Sequence, residues 1–370
     1  MRSRFAVGIL LPALLLPASG LGPATAQVDL PLAPQDAPQA APQDAPRAPT
    51  KGEGLVVVRG TTDEAEVASL VAGFREAHPG IAVSYTKMNS SHLYDGFVED
   101  AAAGTGTADI VWSSAMDLQI KLVNDGYAAR HVSAETASLP AWAVWRNEAF
   151  GVTAEPIAIA YNRTLLPPED VPASRADLIR SLTDHPEAWK GKVAAYDPER
   201  SGVGSLILAQ DAELTPRTWD LVAALGQAGV KLYTRTETML DRIADGETLL
   251  AYGVFGAYAL ERAKHDPRIG VVLPSDTTLL VSRIAFIAKD ARHPVAARLF
   301  LDYMLSREGQ ARLAAQSLTP ARPDARRADD PVAAAPALRP VAVGPELLAN
   351  LDQIRRARML RRWRRAMEGR

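Results

Sequence analysis

The chain has 370 residues, 47% hydrophobic, 23% charged and 6% aromatic, enough length and apolar content for two cores. Its 41 basic and 43 acidic residues leave a formal charge of −2, which excludes a nucleic-acid partner held by bulk charge. With no cysteine, disulfides, thiolate catalysis, cysteine-ligated metal centres and a lipid anchor on an N-terminal cysteine are all excluded. Mean hydropathy of −0.06 and one short apolar run exclude a polytopic membrane protein.

That run comes first in the chain. Arg2 and Arg4 precede twelve largely apolar residues, 5–16, and small residues then lead to Ala24-Thr25-Ala26. A basic start, a short apolar stretch and an A-x-A end describe a signal peptide cleaved after Ala26. Twelve helical residues reach only ~18 Å, too short for a ~30 Å hydrocarbon core. N-terminal sequencing of the periplasmic protein is expected to begin at Gln27; Met1 retained in a membrane fraction would overturn this. Cleavage leaves 39 basic against 43 acidic residues, a net charge of −4.

Residues 27–53 read as a linker. Six prolines fall within 27–50, and APQDAP occurs at 33–38 and again at 41–46. Such a composition favours extended polyproline II over any packed core. The folded part is expected to start near Gly54.

From there short β-branched runs alternate with helical stretches. Residues 55–59 (LVVVR) read as a buried strand. Val67, Leu70, Val71 and Phe74 follow at helical spacing until His78-Pro79-Gly80 stops the helix. Strands at 81–86 and 107–112 follow, each leading through a polar turn into a helix. The second half repeats the style, with strands at 156–161, 193–196, 248–254 and 281–288. Its helices are expected at 175–182, 203–212, 218–228, 237–245, 256–264 and from 294 onward. Strand, polar turn and helix in repetition mark parallel α/β sheets. The last 20 residues carry eight arginines around Leu351, Ile354, Leu360, Trp363 and Met367. This reads as an amphipathic helix docked on the body, with a solvated arginine face; an acidic partner or anionic lipid is the sharper alternative.

With these phrases in place the chain resembles the periplasmic solute-binding proteins of ATP-binding-cassette (ABC) importers, in the branch of ferric-iron and phosphorylated-sugar receptors. The residues that carry the resemblance are FREAHP at 74–79 and FLDYMLSREGQ at 300–310, within a stretch covering about 54–316. It implies an α/β fold of two lobes, type II-like, each a mainly parallel sheet with flanking helices, joined by hinge strands. The expected division is 54–155 for the first part of lobe 1, 156–275 for lobe 2, 276–316 for the return to lobe 1, and 317–370 for a basic helical tail. Such lobes close on a ligand about the hinge. The resemblance also implies a monomer that meets either an ABC permease or the periplasmic domain of a sensor kinase.

No G-x-S-x-G, P-loop, H-E-x-x-H or EF-hand pattern is present. No catalytic residue, metal ligand or cofactor is therefore expected, and the chain reads as a binding protein and not an enzyme. Hydroxyls and glycines instead cluster where strands end and helices begin: Thr61 and Thr62, Ser113 and Ser114, and Ser201, Gly202, Gly204 and Ser205. Ligands of open α/β sheets bind beyond the carboxyl ends of strands, where helix N-termini favour phosphate or carboxylate. The plain use of each hydroxyl is a helix cap. Tyr252 near a strand end, and Arg283 within an otherwise apolar strand, complete the candidate set. Arg283 needs a partner, either an acidic neighbour or an anionic ligand. Iron receptors of this branch use adjacent tyrosines, whereas Tyr252 and Tyr258 are six apart here. A small anionic organic solute is therefore the expected ligand, with ferric iron as the alternative.

Overall fold

In the first strand, β1 (Leu55–Gly60), Val56 and Val58 are fully buried while their neighbours are not, the alternation of a half-covered strand. The helix Glu64–Ala77 then buries Val67, Leu70 and Phe74 on one stripe and ends at His78, where Pro79 forbids continuation. The structure, a computed structural model, describes residues 53–369 apart from Thr107, Ala328, Asp329, Pro331, Ala334 and Pro336. The expected signal peptide and nearly all of the linker lie outside the described residues. Glu53, its last residue, accepts the Ala296 N–H at 3.0 Å.

The remaining strands are β2 (Ala82–Lys87), β3 (Ile110–Ser113), β4 (Val144–Trp145), β5 (Ala149–Gly151), β6 (Glu155–Asn162), β7 (Val193–Tyr196), β8 (Lys231–Tyr233), β9 (Leu250–Phe255), β10 (Ile269–Val272), β11 (Thr278–Val281), β12 (Ile284–Ile287) and β13 (Leu338–Pro340). They form two sheets. In lobe 1 the order is β2-β1-β3-β12-β5-β4, with β2, β1 and β3 parallel and the rest antiparallel. In lobe 2 the order is β13-β11-β6-β9-β7-β8, with β9, β7 and β8 mutually parallel and β10 paired to the far half of β6. Both faces of the lobe 2 sheet are covered, one by a cluster around Ile159, Leu178 and Leu221, the other by one around Ala158, Met239 and Ile243. Continuous apolar runs such as β9 are the consequence.

Two segments join the lobes at the hinge: the chain leaves lobe 1 after Gly151 and enters β6 at Glu155, then returns between Val281 and Ile284. The C-terminal stretch crosses again, from the lobe 1 helix Arg307–Ala314 to β13, back to lobe 1 at Pro345–Leu351 and over to lobe 2 at Gln353–Met367. The single return strand expected over 281–288 is thus two strands in different sheets, β11 beside β6 and β12 beside β3. The break falls at Ser282-Arg283, where the polar pair turns out of one ladder and into the other. Gly256 opens the helix Gly256–His265 against this crossing; a Cβ there would lie 2.6 Å from Pro156 Cγ, so only glycine permits the approach.

The tail is well packed. Residues Pro345–Leu351 form a 3-10 helix against the lobe 1 helix Met116–Asn124, and the terminal helix Gln353–Met367 lies on the lobe 2 helix Thr218–Gln227. Trp363 is the anchor, buried with Leu208 and Val222, while Ile354 is 69% exposed. At Gly226 the chains nearly touch: a Cβ would lie 2.2 Å from the Met367 carbonyl oxygen. Trp363→Ala is expected to lose about 3–5 kcal/mol in urea melts; a loss below ~1 kcal/mol would mean that the helix only rests on the surface.

Candidate functional site

The parallel register aims three lobe 1 strands the same way, so their carboxyl ends share one edge of the sheet. There β1 delivers Thr61 and Asp63, β2 delivers Lys87, Met88, Asn89 and Ser90, and β3 delivers Ser114. Lobe 2 does the same with β7, β8 and β9, which present Tyr196, then residues 234–237, then Phe255 and Tyr258. These groups line one cavity of about 310 Å³ between the lobes, with Arg283 from the crossing segment among them.

The hydroxyls of this cavity are held in place. Ser114 N–H donates to Thr61 Oγ1 at 3.1 Å, and the two hydroxyl oxygens lie 3.4 Å apart. Tyr196 and Thr236 share a 2.5 Å hydrogen bond, and Thr236 Oγ1 also accepts the Phe255 N–H. Burial holds both cavity phenols protonated: it raises Tyr196 above the ordinary tyrosine range and Tyr258 to about 12, against the opposing charge of Arg283. Lys87 pairs with Asp63, and Arg235 lies 3.5 Å from Glu237. Five helices start on the cavity, those beginning at Glu64, Ser90, Met116, Thr236 and Gly256. Only the Ser90 helix has a side-chain cap, from Asn89; the other four begin without one. The Met116 helix has its first donors engaged, Ala115 N–H by Ser113 Oγ, Met116 N–H by the Ser114 carbonyl and Leu118 N–H by Asp117. The helices at Glu64, Thr236 and Gly256 keep first-turn donors and partial positive charge.

Arg283 is fully buried at the hinge and satisfied on every side. Its guanidinium meets both oxygens of Glu155 at 2.8 and 3.2 Å, Thr62 Oγ1 at 3.1 Å and the Tyr258 hydroxyl at 3.3 Å. Thr153 Oγ1 accepts the Arg283 N–H at 2.8 Å and donates to Glu155. The arginine therefore links both crossing segments, lobe 1 through Thr62 and lobe 2 through Tyr258. Glu66 adds an odd group nearby. Its Oε2 is buried without a hydrogen-bond partner among the described residues. Burial raises its carboxyl to about 7 against the pull of Arg283, with Glu155 and Asp63 adding to the rise. The folded protein then holds this proton where the unfolded chain, with a pKa near 4.5, has lost it. Stability is expected to fall as pH rises between those two values. Glu66→Gln should flatten that decline in thermal melts taken from pH 5 to 8; parallel curves for the two proteins would overturn the assignment.

Of the residues singled out by sequence, Thr61, Ser114 and Arg283 line the cavity, and Thr62 braces Arg283. Ser113 is buried and turns inward, its Oγ accepting the Ala115 N–H at 3.1 Å. The remaining candidates are corrected by the geometry. Ser201 is a helix cap, accepting the Gly204 N–H at 3.1 Å. Gly202 is exposed, Ser205 is buried in the helix Gly202–Leu214, and none of the three lines the interlobe cavity. Gly204 packs on Tyr196 Cβ and borders a separate small cavity with Tyr252 and Trp363. Tyr252 is not at the strand's end, because β9 runs on to Phe255. Its hydroxyl donates to Asp211 at 2.6 Å and accepts from Arg175 Nε at 2.8 Å, inside lobe 2. The sequence reading missed Lys87, Asn89, Ser90 and residues 234–237. The same strand–polar turn–helix rule, applied after β2 and β8, would have found them.

Two α/β lobes hinged on paired crossings, with a polar cavity at their facing strand ends, define a hinged ligand-capture protein. A family model described as bacterial extracellular solute-binding protein matches residues 69–340, and the chain belongs to that family. The substrate-binding protein of the ABC transporter from Agrobacterium tumefaciens is 40% identical, with a TM-score of 0.77 over 85% of this chain and 95% of that one. Iron-bound HitA from Pseudomonas aeruginosa is 21% identical over 84% of this chain and 99% of that one, at a TM-score of 0.67. AfuA from Actinobacillus pleuropneumoniae, with fructose-6-phosphate bound, is 20% identical over 85% of this chain and 99% of that one, at 0.66. These last two speak for the fold alone. A Haemophilus influenzae protein is 32% identical over 134 residues, and the match covers 35% of this chain and 38% of that one.

Proposed function

We propose that this chain is exported to the periplasm and captures a small organic anion, phosphorylated or carboxylated, between its lobes for delivery to the permease of an ABC importer. The observation that carries the ligand class is the convergence of helix N-termini from both lobes on one cavity, those at Glu64, Thr236 and Gly256 without a side-chain cap. Such N-termini favour phosphate and carboxylate through free N–H donors and the aligned helix dipole. The charge of Arg283 is matched by Glu155, while Lys87 and Arg235 place positive charge along the lining beside their partners Asp63 and Glu237. Those carboxylates and the hydroxyls of Thr61, Ser114 and Thr236 suit a solute that carries hydroxyls beside its anionic group. The likeness to the Agrobacterium tumefaciens protein, over most of both chains, supports the importer role. Ferric iron is the weaker alternative, because the lining holds no adjacent tyrosine pair and its two phenols are engaged, Tyr196 with Thr236 and Tyr258 with Arg283.

The test is mass spectrometry of the small molecule released when the purified protein is denatured, followed by calorimetric titration of the pure compound. A phosphate ester or carboxylate that binds with one-to-one stoichiometry is expected. An organic cation, or a metal ion alone, would sink the reading.

A further inference from the structure

The terminal helix places its arginines unevenly. Leu360 and Trp363 are buried against lobe 2, while Arg355, Arg358, Arg361, Arg362, Arg364 and Arg365 are exposed. Beside the helix lies a cavity of about 290 Å³, bounded also by the end of the helix Gly202–Leu214, by Trp219 and by Asn350. Arg355, Arg356, Arg358 and Arg362 all line it, and Glu213 is the one carboxylate in the lining. The Arg362 guanidinium stacks over Trp219 at 4.3 Å, which fixes its plane. Arg356 is steadied by a 3.4 Å contact to the Glu199 carbonyl. Gln210 Nε2 donates to Glu213 at 3.4 Å, and Asp352 accepts the Arg355 backbone N–H at 2.8 Å.

We propose that this groove is a second anion site, separate from the interlobe cavity, which takes a phosphate-bearing group. A solvated arginine face would account for Arg361 and Arg365, but it does not account for Asn350. The Asn350 amide nitrogen is buried, and it has no hydrogen-bond partner among the described residues, although its residue lines the groove. A buried donor left unmade is costly, and a turn of the Asn350 amide towards an anion in the groove would supply the missing acceptor. Like-charged arginines spaced three and four apart along a helix repel one another, and a bound phosphate relieves that repulsion. Guanidinium forks match phosphate oxygens two at a time, and a planar guanidinium held on an aromatic ring is preorganised for this. The volume suits a small group such as inorganic phosphate, pyrophosphate or a phospholipid headgroup.

The test uses the full mature chain and two variants, Arg355→Ala/Arg358→Ala at exposed positions and Asn350→Asp, which puts a negative charge in the groove. Inorganic pyrophosphate titrated by calorimetry at low salt should bind the parent chain. Each variant should weaken that binding at least tenfold, and raised salt should weaken it in the parent. Thermal melts without pyrophosphate check that both variants fold. Sedimentation with phosphatidylglycerol and with phosphatidylcholine vesicles separates the sources. Retention on the anionic vesicles alone, displaced by pyrophosphate and lost in the double variant, assigns a lipid headgroup. Pyrophosphate binding without vesicle retention assigns a free phosphate. No binding of either probe, or binding that folded variants leave unchanged, overturns the proposal.

Discussion

Glu155→Gln is expected to lower stability by about 3–5 kcal/mol, because it strands the Arg283 guanidinium as an uncompensated buried charge. Arg283 is 2% exposed and Glu155 fully buried, so water cannot take the partner's place. The substitution keeps the shape of the side chain and removes only its charge. The loss should appear as a fall in melting temperature of ~4–8 °C, at roughly 1.5 °C per kcal/mol for a folded body of about 320 residues. Glu155→Gln combined with Arg283→Met should recover much of that loss, since replacing both partners of a buried pair by neutral groups is often close to neutral. The pair also joins the two crossing segments through Thr153. The double variant would therefore keep its stability yet lose a fixed hinge geometry, which small-angle scattering with and without ligand can read. A single-variant loss under ~1 kcal/mol would show that the pair is dispensable.

This hinge also shows how much was legible in the sequence. The strand–turn–helix alternation exposed both lobes because β1 and the helix Glu64–Ala77 obey their own periods locally. The return segment was different. Residues 279–287 are apolar apart from Ser282 and Arg283, and nothing local says that the two halves pair with different sheets. Membership of a sheet is decided by partners such as β3 and β6, more than 100 positions away. Tyr252 failed for a related reason: its partners Asp211 and Arg175 lie on helices 41 and 77 residues off. Asp211 is itself pushed above its usual range by burial, against the pull of Arg175. Hydroxyls were sought at strand ends, but a sequence does not say whether an oxygen faces the cavity or its own helix. Ser201 spends its acceptor on Gly204, and Ser114 does not cap the helix that follows it.

That distinction yields the prediction with the largest expected effect on binding. Thr61→Ala and Ser114→Ala should each weaken affinity for the co-purifying solute by roughly 10- to 150-fold, the loss of one hydrogen bond to a charged group at about 1.5–3 kcal/mol. Ser201→Ala and Ser205→Ala should leave affinity unchanged, and Ser201→Ala should instead lose about 1 kcal/mol of stability as a lost cap. Because Ser114 N–H donates to Thr61 Oγ1, the Thr61/Ser114 double variant should lose less than the sum of the singles. The opposite pattern would point elsewhere: affinity lost in the Ser205 variant and kept in the Thr61 and Ser114 variants would move the ligand off the facing strand ends. Calorimetric titration of all four single variants and the double, with a thermal melt of each, separates binding from folding.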